Sequence, residues 1–480
     1  MNYYIIFFVL GWVMCFEGVF LLLPSFTAVF YNEMDAGIPF MVTALVSALI
    51  GFVITRIKPK HKHFYAREGF VICALTWFII SLIGAIPLSC SGYFNSYIDA
   101  LFEIVSGFTT TGSSVLTDLT GLPHCILIWR SFSHWVGGMG VLVFILAVLP
   151  LFGGQDMQIL KAESPGPSVG KLVPNVKKTA SYLYKIYIAI TVIQFIVMLA
   201  TGMDVFNALC ITFGTAGTGG FGVNNSSCGN YTFTQQVIIT VFMMLFGVNF
   251  NFYFYIIKGK FKDAFSIEEV RWYIGVYAVA VTVIVLNIMG NANALSTNVK
   301  DAAFSVASVM TTTGYATADF DKWPMFSRCI LITVMYMGAC AGSTGGGMKV
   351  SRIVIYLKSL KKELSCMIHQ KSVKIIKMDG KPVGHTVIRN ANVFLVSYVI
   401  LFFTSFLIVT LDNFDFETSF TAIVATLNNI GPGLGMVGPS GNFAAFSDRS
   451  KLVLIFDMLA GRLEIFPMLL LLYPRTWGRK

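Results

Sequence analysis

Four times after residue 69, this chain sets a segment too short to cross a membrane between two apolar runs that are long enough. The short segments are 99–111 (DALFEIVSGFTTT), 204–218 (DVFNALCITFGTAGT), 301–313 (DAAFSVASVMTTT) and 417–430 (ETSFTAIVATLNNI). Each leads into a polar stretch centred on a glycine: Gly112, Gly219, Gly314 and Gly431. A helix of about 12 residues covers roughly 18 Å, about half a bilayer. Each segment must therefore enter, stop near the middle and return. Irregular backbone at that depth is stable only when buried in protein or lining water, and these returns are polar. One Gly/Thr stretch reads as a helix-packing motif. Four in equivalent positions, all on one side, read as the walls of a single water-lined axis.

Composition agrees. Of 480 residues, 56% are hydrophobic and 12% charged, against about 25% charged in soluble domains. Apolar runs near 3–26, 36–55, 69–90, 126–152, 182–202, 232–256, 271–290, 325–350, 389–411 and 449–473 are long enough to span as helices. They lack the apolar–polar alternation of barrel strands. The first run has no basic start and no small-residue cleavage site, so it reads as a retained span. The net charge of +10 is placed by topology: 27 of the 34 Lys and Arg residues fall in the alternate connections 56–67, 161–185, 258–271, 349–389 and 475–480. The opposite connections carry Glu33 and Asp35, Asp319 and Asp321, and Asp412, Asp415 and Glu417. The positive-inside rule puts the basic connections and both termini in the cytoplasm. A basic cytoplasmic face implies contact with anionic lipids, and nucleic acid is not an expected partner. The nine cysteines form no CxxC pair and have no histidine at ligand spacing, so neither a disulfide framework nor a zinc site is indicated. Asn225 and Asn230 stand in N-x-S/T sequons, which matter only where the source glycosylates its proteins.

The expected fold is an all-α integral membrane protein. Two N-terminal helices precede four helix–pore-helix–filter–helix repeats in pseudo-fourfold arrangement around one pore. The divisions are 1–67 (N-terminal helices and a basic loop), 68–180, 181–267, 268–388 (with an intramembrane loop and a basic segment) and 389–480. Each short segment opens with an acidic residue, suited to a helix N-terminus by capping and by the macrodipole.

A cation leaving water needs oxygens to replace its hydration shell, and rings of backbone carbonyls supply them. Turning successive carbonyls inward requires backbone conformations that glycine adopts at little cost. Neighbouring threonines add hydroxyl oxygens. The C-terminal ends of the short helices add partial negative charge. No acidic residue lies in the four glycine stretches, whereas divalent-selective pores use carboxylate rings more often; monovalent cations are therefore favoured.

The TTTGYAT stretch resembles the T-x-G-Y filter of tetrameric potassium channels. The whole chain resembles the superfamily of Trk, Ktr and HKT potassium transporters, and most closely the Trk-type membrane subunit. The resemblance rests also on WRSFSHWVGGMG (129–140), FGVNFNF (246–252), GACAGSTGGGMK (338–349), NNIGPGLG (428–435) and GRLEIFPMLLLL (461–472). The two extra N-terminal spans favour the Trk type over the shorter Ktr type. It implies a potassium-binding filter at Thr110, Thr111, Gly112, Thr218, Gly219, Thr312, Thr313, Gly314, Asn429, Ile430 and Gly431, with no other metal. Relatives with Ser at the first position tend to prefer sodium, so Gly112 implies potassium. The fourth stretch departs from the others, with Asn429 and Ile430 for the threonine pair and Pro432 just beyond. The resemblance further implies a bacterial inner-membrane location, a homodimer, and a cytosolic ring of nucleotide-binding regulatory subunits (RCK/KTN-type, TrkA-like). No organic cofactor is expected on this chain.

The span beginning near 325 carries Gly342, Ser343, Thr344, Gly345, Gly346 and Gly347, which make a continuous helix improbable. GSTGGGMK lacks the Gly-Lys-Ser/Thr ending and preceding strand of a phosphate loop. It reads as a broken helix facing a cavity beneath the filter, and the resemblance makes it an intramembrane gate. Arg462 stands inside the last span, where a charge is costly unless paired or hydrated. Two readings are open: a structural pair with Asp457 or Glu464, or a positive group below the filter that contacts the loop. Arg130 reads as a packing or anchor charge near the outer boundary, His134 as a hydrogen-bonded structural residue, and Glu17 has no evident partner. The segment 349–389 either docks a soluble partner or holds topology. The rival function is an ion-coupled secondary transporter (K⁺/H⁺ or K⁺/Na⁺ symport) built on inverted repeats, but four repeats entering from one side favour a pore. No convergent Ser/His/Asp or metal-ligand cluster points to an enzyme.

Overall fold

The computed structural model describes residues 1–57, 66–152, 176–290, 294–370, 372 and 374–478. The basic connections expected at 56–67 and 161–185 fall largely outside these residues. The N-terminal helices are α1 (Tyr3–Phe20), α2 (Leu22–Phe30) and α3 (Met34–Thr55). Small residues let α1 and α3 approach closely, as is usual within bilayers. A Cβ on Gly11 would lie 2.9 Å from the Gly51 carbonyl oxygen, and one on Gly51 would lie 2.6 Å from that of Gly11. Ser47 Oγ closes the contact by donating to the Met14 carbonyl at 2.8 Å.

Four units follow. The first comprises α4 (Ala66–Cys90), α5 (Tyr97–Phe108) and α6 (His124–Phe152). The second comprises α7 (Val176–Ala200), α8 (Val205–Gly217), α9 (Phe233–Phe246) and α10 (Phe250–Ile257). After the short α11 (Phe261–Ser266) come α12 (Glu268–Ile288), α13 (Leu295–Met310), α14 (Met325–Met337) and α15 (Val350–Ile368). The last unit is α16 (His385–Val409), α17 (Phe416–Leu427), α18 (Asp448–Arg462) and α19 (Phe466–Leu472). Among the described residues six helical stretches are long and apolar enough to cross a membrane.

The second span of three units is broken. Between α9 and α10 the direction changes by 91°. The run expected as 325–350 stops at Met337 and resumes at Val350. The run expected as 449–473 is interrupted after Arg462, where Glu464 and Ile465 take φ of 58° and 67°.

The half-length helices α5, α8, α13 and α17 are buried along most of their length. Asp204 caps its helix as expected, accepting from the Phe206 and Asn207 amides, and the other three starts differ. In α17 the cap is Asp415, accepting from the Thr418 amide, with Glu417 in the first turn. In α5 the cap is Ser96, and Asp99 lies in the first turn, 2.6 Å from Lys451 Nζ. The third helix begins at Leu295, so Asp301 is internal and pairs with Lys300 at 3.1 Å.

Tyr3 Oη donates to the Trp477 carbonyl at 3.3 Å, and Arg67 Nη1 to that of Gly478 at 3.3 Å, so both chain ends meet on one face. Within 349–389 the chain forms α15 and a two-stranded hairpin pairing Lys377 with Pro382 and Met378 with Lys381. Asp379 and Gly380 turn it with φ of 53° and 74°, the left-handed pair expected of a tight Asp-Gly hairpin.

Candidate ion-pathway site

The four half-length helices end identically. The amides of Thr111, Gly219, Thr313 and Ile430 donate to the carbonyls of Ser106, Gly214, Ser308 and Ala425 at 2.8–2.9 Å. The amides one residue earlier, of Thr110, Thr218, Thr312 and Asn429, donate to Gly107, Thr215, Val309 and Thr426 at 3.1–3.2 Å. This is the paired closure of a Schellman C-cap, whose left-handed residue is usually glycine. Here it is Thr110, Thr218, Thr312 and Asn429, with φ of 56°, 56°, 59° and 56°. A β-branched residue at positive φ is a true outlier, and such strain costs about 1–3 kcal/mol and concentrates at functional sites. Three of the four units retain it.

Two residues further on, a glycine again takes positive φ: Gly112, Gly220, Gly314 and Gly431, at 84°, 84°, 86° and 98°. This corrects the second wall. Gly220, rather than Gly219, is in register with the other three glycines, and Gly219 occupies the place of Thr111, Thr313 and Ile430. The four glycines face one another in sequence. A Cβ on Gly112 would sit 2.0 Å from the Gly219 carbonyl oxygen, one on Gly220 2.0 Å from Thr313, one on Gly314 2.0 Å from Ile430, and one on Gly431 2.8 Å from Thr111. Each wall thus abuts the carbonyl that precedes the next wall's glycine, and the fourth closes on the first. All four glycines line a mouth of about 190 Å³, with Ser113, Arg130 and the loops beyond.

Polar contacts brace this ring from behind. Thr109 and Thr111 share a hydroxyl contact at 2.8 Å, and Thr311 and Thr313 repeat it at 2.7 Å. In the fourth wall Asn429 Nδ2 donates to Thr111 Oγ1 at 3.0 Å and to the Met458 carbonyl at 2.9 Å. Arg130 is buried, 2.7 Å from Glu103 Oε1, and its guanidinium lies 4.2 Å over the Phe221 ring. Glu103 Oε2 accepts from the Val115 amide at 2.9 Å. Arg130 is therefore a brace between the first and second walls and not a boundary anchor. His134 Nδ1 lies 2.8 Å from the Gly107 carbonyl oxygen while its Nε2 accepts from the Phe221 amide at 3.2 Å; that acceptor role leaves Nδ1 as the protonated nitrogen. In the mouth, Asp118 Oδ1 accepts from Asn225 Nδ2 at 2.7 Å and from the Thr120 amide at 2.8 Å. The Asn225 and Thr120 hydrogen bonds lower the Asp118 carboxyl to about 2. Glu17 is buried in α1 with one carboxylate oxygen unpartnered.

Residues 338–349 lie beneath this ring. Gly345 is packed so that a Cβ would lie 2.8 Å from the Thr311 carbonyl oxygen, and a Cβ on Gly346 would lie 2.6 Å from that of Asn428. The loop thus presses on the last carbonyls of the third and fourth half-length helices. The Gly346 amide donates to Thr312 Oγ1 at 2.6 Å. Gly342 and Gly347 take φ of 70° and 77°, Ser343 Oγ donates to the Cys340 carbonyl at 2.7 Å, and Lys349 Nζ donates to the Gly345 carbonyl. Arg462 donates from Nη1 to the Thr344 carbonyl and from Nη2 to the Gly137 carbonyl, both at 2.7 Å. The carboxylates expected to pair with it are engaged elsewhere: Asp457 accepts from Ser405 Oγ at 2.7 Å, and Glu464 pairs with Arg352.

Sequence reasoning missed Glu269, Glu103, Asn249 and the Arg352–Glu464 pair. Glu269 Oε1 accepts from the Ala341 amide at 2.6 Å and the Ser351 amide at 3.1 Å, and Oε2 from Asn249 Nδ2 at 3.3 Å. Its one sequence signal was an acidic residue at a helix start.

Comparison with known proteins agrees with this architecture. A family model described as "TrkH: Cation transport protein" matches residues 36–477. The Trk system potassium uptake protein TrkH of Escherichia coli K12 is 36% identical over 473 residues, 97% of each chain. That of Vibrio parahaemolyticus is 34% identical over 482 residues, 98% of each. The crystal structure of the potassium transporter TrkH from Vibrio parahaemolyticus superposes with a TM-score of 0.89 at 32% identity, covering all of both chains. This all-α membrane chain, a transport protein rather than an enzyme, belongs to the TrkH family of cation transport proteins.

Proposed function

We propose that this chain is the membrane subunit of a potassium uptake system and conducts K⁺ through the ring of four walls. The cyclic register of Gly112, Gly220, Gly314 and Gly431 against the neighbouring carbonyls carries this reading. A dehydrated cation on that axis meets oxygens from four backbones of one chain. The half-length helices add the negative ends of their dipoles below it. Thr110, Thr218, Thr312 and Asn429 form the inner edge, and Thr111, Gly219, Thr313 and Ile430 supply the carbonyls between the two turns. The relatives' names, which speak of potassium uptake, support K⁺ as the cargo.

The loop carrying Gly342 to Gly347 is the gate in this reading, because it occupies the space under the third and fourth walls and bonds Thr312 directly. Arg462 holds it by the Thr344 carbonyl. The basic face, with both termini, α15 and the hairpin, is cytoplasmic. It meets anionic lipids and a nucleotide-binding regulatory subunit, and two copies of the chain form a homodimer in a bacterial inner membrane.

Liposome flux of Rb⁺ and Na⁺, comparing this chain with Gly112→Ser, tests the filter. A fall in the Rb⁺/Na⁺ ratio is expected, and an unchanged ratio overturns the assignment. Removal of 343–347 tests the gate by raising Rb⁺ flux; unchanged flux rejects it. A homodimer is expected in native-mass measurements, and retention of the regulatory subunit is expected to be lost when 358–382 is replaced by a neutral linker.

A further inference from the structure

The reading of 338–349 as a gate, on which this inference rests, raises the question of what sets how readily the loop moves. The loop has two ends, and one carboxylate reaches both. Glu269 stands in the first turn of α12, is 3% exposed, and accepts the amide of Ala341 near the start of the loop and that of Ser351 just past its end. Its other oxygen accepts from Asn249 Nδ2. Asn249 is the N-cap of α10 at the 91° break, its Oδ1 accepting the Asn251 amide at 2.9 Å. That break is stitched to the same loop end: the Cys340 amide donates to the Gly247 carbonyl at 3.1 Å, and the Phe250 amide to that of Gly342 at 3.1 Å. Two interrupted spans from different units are thus joined at a single carboxylate.

We infer that Glu269 is a positioning residue that holds both ends of the intramembrane loop, so that its carboxylate sets the balance between obstructed and open pathway. The argument is one of satisfaction. With the loop in place, the two loop-end amides and the Asn249 amide group have one shared acceptor, and burial away from water makes each costly to leave unpaired. Displacing the loop takes two amide donors from a buried carboxyl group at once, so the closed arrangement is favoured. The site is also placed to be worked from the basic face. Glu269 and Asn249 line a cavity of about 570 Å³ shared with Met378, Asp379 and Lys381 of the hairpin. The adjacent Glu268 is tied to that hairpin through its amide to Asp379 Oδ1 at 2.7 Å, and to α15 through Lys358 at 2.5 Å.

The test is Rb⁺ uptake by the full chain in liposomes, with Glu269→Ala, Glu269→Gln and the 343–347 deletion side by side. Glu269→Ala is expected to raise flux by about tenfold, the scale of one lost hydrogen bond to a charged group. Glu269→Gln retains an acceptor oxygen for the Ala341 and Ser351 amides and is expected to rise far less. The Rb⁺/Na⁺ ratio should stay at the wild-type value in both, because the ring is untouched. Unchanged or reduced flux in Glu269→Ala, equal effects of Ala and Gln, or a changed ratio overturns the inference. If the alanine protein does not reach the membrane, Glu269→Asp, one methylene too short to carry its oxygen to the two amides, takes its place with the same expected rise. Where the deletion raises flux and Glu269→Ala does not, the holding role alone has failed; where the deletion leaves flux unchanged, the gate reading falls and the inference with it.

Discussion

The guanidinium of Arg462 bridges the Thr344 carbonyl and the Gly137 carbonyl, at 2.7 Å to each, and so ties the loop beneath the ring to the second span of the first unit. One planar group meets carbonyls from two different units, which an ammonium on a flexible stem does not reproduce. Arg462→Ala and Arg462→Lys should therefore both free the loop. The expected outcome is a rise in Rb⁺ flux of about ten- to a hundredfold for alanine, from a lost charge-assisted hydrogen bond of about 1.5–3 kcal/mol, with lysine between. Single-channel or liposome flux recordings check the order.

The corrected register ranks the four ring glycines. Alanine at Gly112, Gly220 or Gly314 places a methyl 2.0 Å from a neighbouring carbonyl oxygen, against 2.8 Å at Gly431. All four also force a side chain into positive φ, at about 1–3 kcal/mol each. Gly431→Ala should retain the most Rb⁺ flux of the four, and Gly220→Ala should be as damaging as Gly112→Ala. Flux ratios across the set decide it.

The Arg130–Glu103 pair is buried at 2% and 0% side-chain exposure. Removing one partner from such a pair leaves a naked charge and costs about 3–5 kcal/mol. Glu103→Ala and Arg130→Ala should each lower the melting temperature of the detergent-solubilised protein and the Rb⁺/Na⁺ ratio. The double variant Glu103→Leu/Arg130→Met should recover much of the melting temperature and little of the ratio.

Asp118 is fully exposed and joins the mouth loops of the first two units through Asn225. Its carboxyl is lowered from 3.8 to about 2 by that bond and those of Thr120. A depressed carboxyl stabilises the fold above its unfolded value and loses that effect as pH falls through its folded one. The link is therefore intact at neutral pH and dissolves between 3.8 and about 2. Hydrogen exchange across 116–121, corrected for intrinsic rate, should rise only in that acid window in the wild type. In Asn225→Ala it should already be high at neutral pH.

Much of this was legible in the sequence because the bilayer is a strict solvent. A polar, glycine-centred interruption at half-membrane depth has few stable solutions, and four of them have fewer. The loop at 338–349 was visible for the same reason, since Gly345 and Gly346 do not sustain a helix. What was not legible depends on dihedrals or on distant partners. Gly219 and Gly220 are chemically alike, and only the left-handed turn at Thr218 shows which of them faces the next wall. The start of the third half-length helix at Leu295 was not legible because its polar first turns, STNVK, read as loop in a chain judged by hydropathy. Glu269 bonds amides 72 and 82 positions away, and no local pattern announces that.

The ring closes from wall to wall within one polypeptide, each glycine resting on the carbonyl of the next. In an assembly of four identical subunits a single codon change alters every wall together. Here a single codon change alters one quarter of the ring and leaves three quarters standing. The looser contact at Gly431, beside Asn429 and Ile430, is what such independence permits: under the proposed function, ion preference could be retuned a quarter at a time without dismantling the ring.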